Sequence, residues 1–247
     1  VGKYSKWLLA LVAPLLLAGC LLIPGKFESE LRLMNDGTYS FVYNGQMQLA
    51  EGGDDAMSSP SGMADGEQAG SGSSEEDQKN AAMRSIFGGA VPGDDEGLKL
   101  FAAKLAKYDG WNKVEYIGDN MFEVEYAISG KFDRMLAFPT IPGATMQFPF
   151  VQVIRRNKGE LEILTPAMAS AGGLVGNLRP PSLGGPSDES KAQLIDGTFT
   201  IVTDGTVLSN NTEDGLTVDG SLKNMHWKVD ATSGPEGSPR AIVKLAN

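Results

Sequence analysis

Histidine and cysteine are nearly missing from this chain, with one of each in 247 residues. A lone cysteine excludes an internal disulfide framework and any multi-cysteine zinc or iron–sulfur centre, and a lone histidine leaves no material for a multi-histidine metal site. Positive charge is also in short supply. Lysine and arginine number 21 against 31 acidic residues, a formal net charge of −10, which argues against a nucleic-acid-binding surface. No G-x-S-x-G elbow occurs. Gly172, Gly173 and Gly176 neither follow a clear strand nor carry a phosphate-binding lysine, so serine-hydrolase and nucleotide-loop chemistries find no support. The apolar fraction of 41% is enough for a real core in one or two modest domains.

What is present begins with a leader. Lys3 and Lys6 form a positive n-region, and Trp7 to Leu17 form an apolar stretch broken only by Pro14. Leu17-Ala18-Gly19-Cys20 follows. This order resembles a lipobox, the processing signal of bacterial lipoproteins. There, small residues before the cysteine fit the signal peptidase, which would cut between Gly19 and Cys20, and the cysteine thiol is alkylated by a diacylglyceryl group. The resemblance implies a signal peptide over 1–19 and a mature chain anchored by acyl chains, palmitate among them, on Cys20. Leu21 is not the aspartate that retains lipoproteins in the inner membrane of enteric bacteria, so the expected location is the periplasmic face of the envelope, with the outer membrane slightly favoured if the host has one. Two other readings stay open. Residues 7–23 are about 17 in number, the lower limit for an uncleaved transmembrane anchor, and Cys20 can also be a free cysteine in an ordinary cleaved leader.

The mature chain divides by composition. Residues 20–50 hold the anchor and a first hairpin, in which Phe27 to Leu33 alternate, Asn35-Asp36-Gly37 turns, and Tyr39, Phe41, Tyr43, Met47 and Leu49 alternate again, with Gly45 at a bulge. Residues 51–93 form an acidic, low-complexity insertion rich in Gly, Ser and Met. From Glu51 to Glu96 there are eleven acids against Lys79 and Arg84, nine of the ten net negative charges. Its first part, about 51 to 77, is too polar to offset its ordering entropy and is expected to be disordered.

Residues 94–165 read as a helix followed by antiparallel strands. Leu98, Phe101, Ala102 and Leu105 recur at helical spacing, with Asp94, Asp95 and Glu96 ahead of them, Lys104 and Lys107 near the end and Gly110 beyond. Hairpins follow at 113–129, turning at Gly118-Asp119-Asn120, and at 150–164, turning at Asn157-Lys158-Gly159. Residues 166–190 are a Pro/Gly-rich loop. Residues 191–247 supply short strands at Gly197–Thr203, Thr206–Ser209, Leu222–Asp230 and Arg240–Leu245, completing the same domain. The order hairpin, helix, meander predicts an α+β class: an antiparallel sheet with one packed helix and a long disordered acidic loop. The sequence Asp-Gly-Thr recurs at Asp36, Asp196 and Asp204 with unequal spacing, a shared way into a strand and not a repeat.

Each candidate for chemistry has a plainer explanation. His226 alternates with Met225 and Trp227 and so projects from the outer side of a strand. Glu123 with Glu125, and Glu160 with Glu162, share faces as a glycosidase pair would, but alternation already explains them as the solvated side of an amphipathic strand. Asp54-Asp55 and Glu75-Glu76-Asp77 lack the spacing and turn glycine of a calcium loop. No catalytic residue, metal site or cofactor is therefore assigned. More distinctive is an apolar excess between 132 and 150: Phe132, Met135, Phe138, Met146, Phe148 and Phe150, with Pro139, Pro142 and Pro149 breaking regular pairing. Such a lining can hold an acyl chain or another apolar guest.

Cys20-Leu21-Leu22-Ile23-Pro24-Gly25-Lys26-Phe27, then Asp36-Gly37-Thr38-Tyr39 and the late Trp227 strand, resemble bacterial lipoproteins of the LppM type. The resemblance implies an α+β envelope domain that touches lipid or glycolipid, and it transfers no catalytic residue. The resulting expectation is a non-enzymatic, lipid-anchored envelope protein. Its partners are the membrane, through Cys20, and an apolar ligand or an envelope protein. The alternative is a structural or assembly lipoprotein with no small-molecule ligand.

Overall fold

Leu22–Leu33 (β1) and Thr38–Leu49 (β2) form the expected antiparallel hairpin. Phe27, Ser29, Leu31 and Leu33 are buried while Glu28 and Arg32 are exposed, as period-two alternation demands. The turn between them is set by Asp36, whose carboxylate accepts from the Thr38 amide at 2.8 Å and from its hydroxyl at 2.6 Å. The computed structural model describes residues 22–49, 88–133, 135–144, 149–156, 159–166, 195–230 and 237–246. The expected disorder of 51–77 and the Pro/Gly-rich loop beyond residue 166 lie outside them.

The helix falls where its spacing placed it. α1 spans Asp95–Leu105, buries Leu98, Phe101, Ala102 and Leu105, and is capped by Asp94, whose carboxylate accepts from the Gly97 amide at 2.9 Å. Asp95 and Glu96 in the first turn and Lys104 in the last complement the helix dipole. Trp111–Gly118 (β3) and Met121–Lys131 (β4) follow, joined at Asp119 and Asn120, both at positive φ (50° and 59°), the geometry a two-residue hairpin turn requires.

The α+β expectation is overturned at the level of layers. Met135–Phe138 (β5), Val151–Arg155 (β6), Glu160–Leu164 (β7), Asp196–Thr203 (β8), Thr206–Asn210 (β9), Thr217–Asp219 (β10), Leu222–Asp230 (β11) and Arg240–Lys244 (β12) complete the described strands. They divide between a seven-stranded sheet, β10-β11-β8-β1-β2-β4-β3, and a five-stranded sheet, β5-β6-β7-β12-β9. The fold is β-rich, and its second layer is a sheet, with the one described helix lying against β3 and β4. Alternation in β6, β7 and β12 marks which side chains face inward but not which sheet they join, so the sequence pattern could not separate one sheet from two. Nor is the first sheet wholly antiparallel, because β1 pairs with β8 in parallel from Lys26↔Asp196 to Leu33↔Thr203.

Both sheets contribute to one core. Phe138 stands at its centre, fully buried, with its ring centroid 4.5 Å from Tyr126, 5.0 Å from Phe41, 5.2 Å from Tyr43 and from Phe150, and 5.8 Å from Trp111. Phe27 is flanked by glycine on both neighbouring strands, Gly45 in β2 and Gly197 in β8, and its ring stacks on Tyr43 at 5.5 Å. A Cβ at Gly197 would meet the Phe27 carbonyl oxygen at 2.5 Å, so only glycine admits this approach. The chain passes from the first sheet to the second at one end, through Asp204-Gly205 between β8 and β9. There Asn35 donates from its amide to the Asp204 carboxylate at 2.6 Å and from its side chain to the Asp204 carbonyl at 2.9 Å, and it accepts from the Ala246 amide.

Candidate functional site

Three places bear on function: the start of β1, the ring cluster between the sheets, and a groove beside β11. At the first, Leu22 pairs with Leu49, Ile23 with Gln48, and both Leu22 and Ile23 are buried. The strand is therefore already in the sheet two residues after Cys20. Gly19 and Cys20 themselves lie outside the described residues. This end of the sheet is tied together by Asn120, whose carbonyl accepts from the Leu49 amide at 2.9 Å and whose side-chain oxygen accepts from the Gly93 amide at 2.7 Å. Tyr116 adds a bolt by donating its hydroxyl to Asp95 at 2.5 Å. Burial, and then this bond to a carboxylate, raise the Tyr116 pKa above the ordinary phenol value.

The apolar lining expected from residues 132–150 is divided. Phe132, Phe138 and Phe150 are buried together in the core, whereas Met135 opens β5 on the outside, 64% exposed. Met146 and Phe148 lie outside the described residues. Phe132 packs edge-on against Tyr39 at 5.8 Å and carries the Arg155 guanidinium over its ring at 5.6 Å. Phe138 and Phe150 are packed edge to face, the arrangement of a filled core. Burial raises the Tyr43 pKa well above the ordinary phenol value, and its hydroxyl donates to the Gln46 carbonyl at 2.7 Å.

The groove, of about 350 Å³, is lined by Asn211, Glu213, Asp214, His226, Trp227, Lys228 and Gly237. Its frame is Asn211, whose side-chain oxygen accepts from the Trp227 indole at 3.1 Å and from the Arg240 amide at 2.8 Å, while its side-chain nitrogen donates to the Ser238 carbonyl at 2.9 Å. His226 is exposed, as alternation with the buried Met225 and Trp227 requires, and its Nδ1 lies 3.0 Å from the Thr200 hydroxyl. Asn211 had no sequence signal, because nothing in the local pattern tells a framing asparagine from a loop one. Of the paired carboxylates, Glu125 lies opposite Lys113, Glu123 lies opposite Glu115, and Glu162 pairs with Arg156 at 2.8 Å. Among the described residues, no group of three or more His, Cys, Asp or Glu side chains is placed to hold a metal ion. Nor is any helix among them long and apolar enough to cross a membrane.

Neither a protein-family model nor a curated protein sequence matches this chain. Solved structures similar to it include one that matches along most of its length. That structure is the folded domain of the Mycobacterium tuberculosis LppM protein, determined by NMR, with 16% identity, 92% of this chain and 95% of that one covered, and a TM-score of 0.33. Superposition this loose carries no functional argument.

Proposed function

We propose that this is a lipid-anchored protein of the bacterial cell envelope, exported by a leader over residues 1–19 and held on the membrane by acyl chains on Cys20. In this reading its β domain works by docking an envelope partner and performs no catalysis. The observation that carries the proposal is the position of β1. Because Leu22 and Ile23 are strand residues, only residues 7–21 remain for a transmembrane helix. At 1.5 Å per residue they reach about 22 Å, short of a hydrocarbon core of about 30 Å. Acylation removes that shortfall, since each buried methylene contributes about 0.8 kcal/mol and two or three chains hold a protein on a bilayer where one does not.

Docking is preferred to ligand binding because Phe138 and Phe150, which would line an apolar site, are packed against one another and their neighbours. Apolar side chains remain exposed at the sheet edges, on Leu208 of β9 and Val218 of β10. Export by the leader would place the domain on the periplasmic side, and Leu21 favours the outer membrane. The test is metabolic labelling with radioactive palmitate in the native host, combined with intact mass. Label and loss of the first nineteen residues are expected in the native chain, and neither in Cys20→Ala. An unlabelled native chain that keeps its leader would overturn the proposal.

A further inference from the structure

β11 is nine residues long, but β10 pairs with only Leu222, Lys223 and Asn224 of it. Asp219 and Leu222 flank a two-residue loop whose first residue, Gly220, sits at φ 61°, the geometry of a hairpin turn in which the flanking pair exchanges both main-chain bonds. Alternation then fixes the rest of the strand. Leu222 and Asn224 turn their N–H and C=O groups toward β10, while Met225, Trp227 and Val229 turn theirs toward β8. His226 and Lys228 turn theirs outward, past the end of β10. Among the described residues nothing bonds those outward groups. The groove lies along this open stretch, since His226, Trp227 and Lys228 all line it, and the loop between β9 and β10 adds Asn211, Glu213 and Asp214.

We propose that this groove takes an extended peptide segment of a partner protein, which adds to β11 as a strand in line with β10. The inference narrows the docking reading above and rests on it. An open strand edge recognises main chain, because its alternating donors and acceptors match another extended backbone. Side chains of the added segment then alternate between the inner side, that of Trp227, and the outer side, that of His226 and Lys228. The two carboxylates of the lining outnumber Lys228, so a segment carrying a basic residue fits better than an acidic one. Leu216 and Val218, on either side of Thr217 at the start of β10, are 40% and 64% exposed and extend the apolar surface next in line.

Residue-resolved amide hydrogen exchange on the full chain tests this, with random heptapeptides displayed on phage as the probe. In the free chain the His226 and Lys228 amides are expected to exchange about a hundredfold faster than those of Met225, Trp227 and Val229. Synthetic copies of the selected peptides are expected to slow exchange at 226 and 228. Lys228→Pro deletes an outward N–H and leaves the ladder to β8 intact, so it should weaken their binding about tenfold, whereas Lys228→Ala should retain it. Slow exchange at 226 and 228 in the free chain, whether from its own residues or a second copy, overturns the proposal even if Lys228→Pro does not fold. Selected peptides that protect other strands overturn this site and leave the docking reading standing. If no peptide is selected, strand addition fails, and docking of a peptide segment fails with it.

Discussion

Truncating Phe138 to alanine tests whether the ring cluster is a filled core or the wall of a site for a guest. The side chain is fully buried and lies within 6 Å of five aromatic neighbours, from Tyr126 at 4.5 Å to Trp111 at 5.8 Å. Removing a buried phenyl ring forfeits its transfer free energy and leaves a cavity that rigid neighbours fill poorly, a loss of about 3–5 kcal/mol. Against a total stability of about 5–15 kcal/mol this is a large fraction, so the variant should unfold at much lower urea. Urea titration followed by tryptophan fluorescence is suitable because Trp111 touches Phe138 directly. Met135→Ala, three residues earlier on the same strand but 64% exposed, is the control and should shift stability by less than about 0.5 kcal/mol. A Phe138→Ala loss below about 1.5 kcal/mol would refute the filled-core reasoning, because a side chain facing an adaptable cavity loses few contacts.

Gly197→Ala places a Cβ against the Phe27 backbone and ring, so a loss of about 1–3 kcal/mol is expected by thermal or chemical denaturation. Asn211→Ala removes the acceptor of the Trp227 indole and the Arg240 amide, and should cost about 1–3 kcal/mol with a shift in tryptophan emission. The Asp36 carboxyl is held below its ordinary value of 3.8 first by the Thr38 hydroxyl, then by the Thr38 amide, with Lys131 adding a smaller share. Since the folded pKa lies below the unfolded one, the ionised group's contribution is present above the unfolded value and disappears as pH falls through the folded one. The melting-temperature gap between the native chain and Asp36→Asn should therefore be widest near neutrality and close in acid; a constant gap would contradict the charge argument.

Local elements were legible where spacing alone determines them. Leu98, Phe101, Ala102 and Leu105 can share a buried stripe only as a helix, and Phe122, Val124 and Tyr126 can share a buried face only as a strand. Partnership was not legible. Val153 and Ile163 alternate just as Phe41 and Tyr43 do, yet belong to the opposite sheet, and nothing local to β1 announces a parallel neighbour about 170 residues away. β5 was hidden because Pro139 and Pro142 made the stretch after Phe138 read as irregular. The three Asp-Gly-Thr segments do each lead into or open a strand, but by different bonds: Asp36 accepts from Thr38, Asp204 from Asn35, and Asp196 is itself the first residue of β8. At the groove, alternation placed His226 outward, while the asparagine that frames it comes from a loop with no periodicity to read.

The parallel pairing of β1 with β8 has a consequence for biogenesis. β1 has β2 at hand within a few residues, but its other edge stays unpaired until residues 196–203 have been synthesised. Contacts of such separation form slowly, and an open strand edge meanwhile invites pairing with foreign chains. A polypeptide stalled before residue 196 would therefore be left unfinished, with β1 open at one edge and Phe27, Leu31 and Leu33 lacking the strand beside them. Completion of the first sheet is thereby tied to synthesis of the chain beyond residue 195.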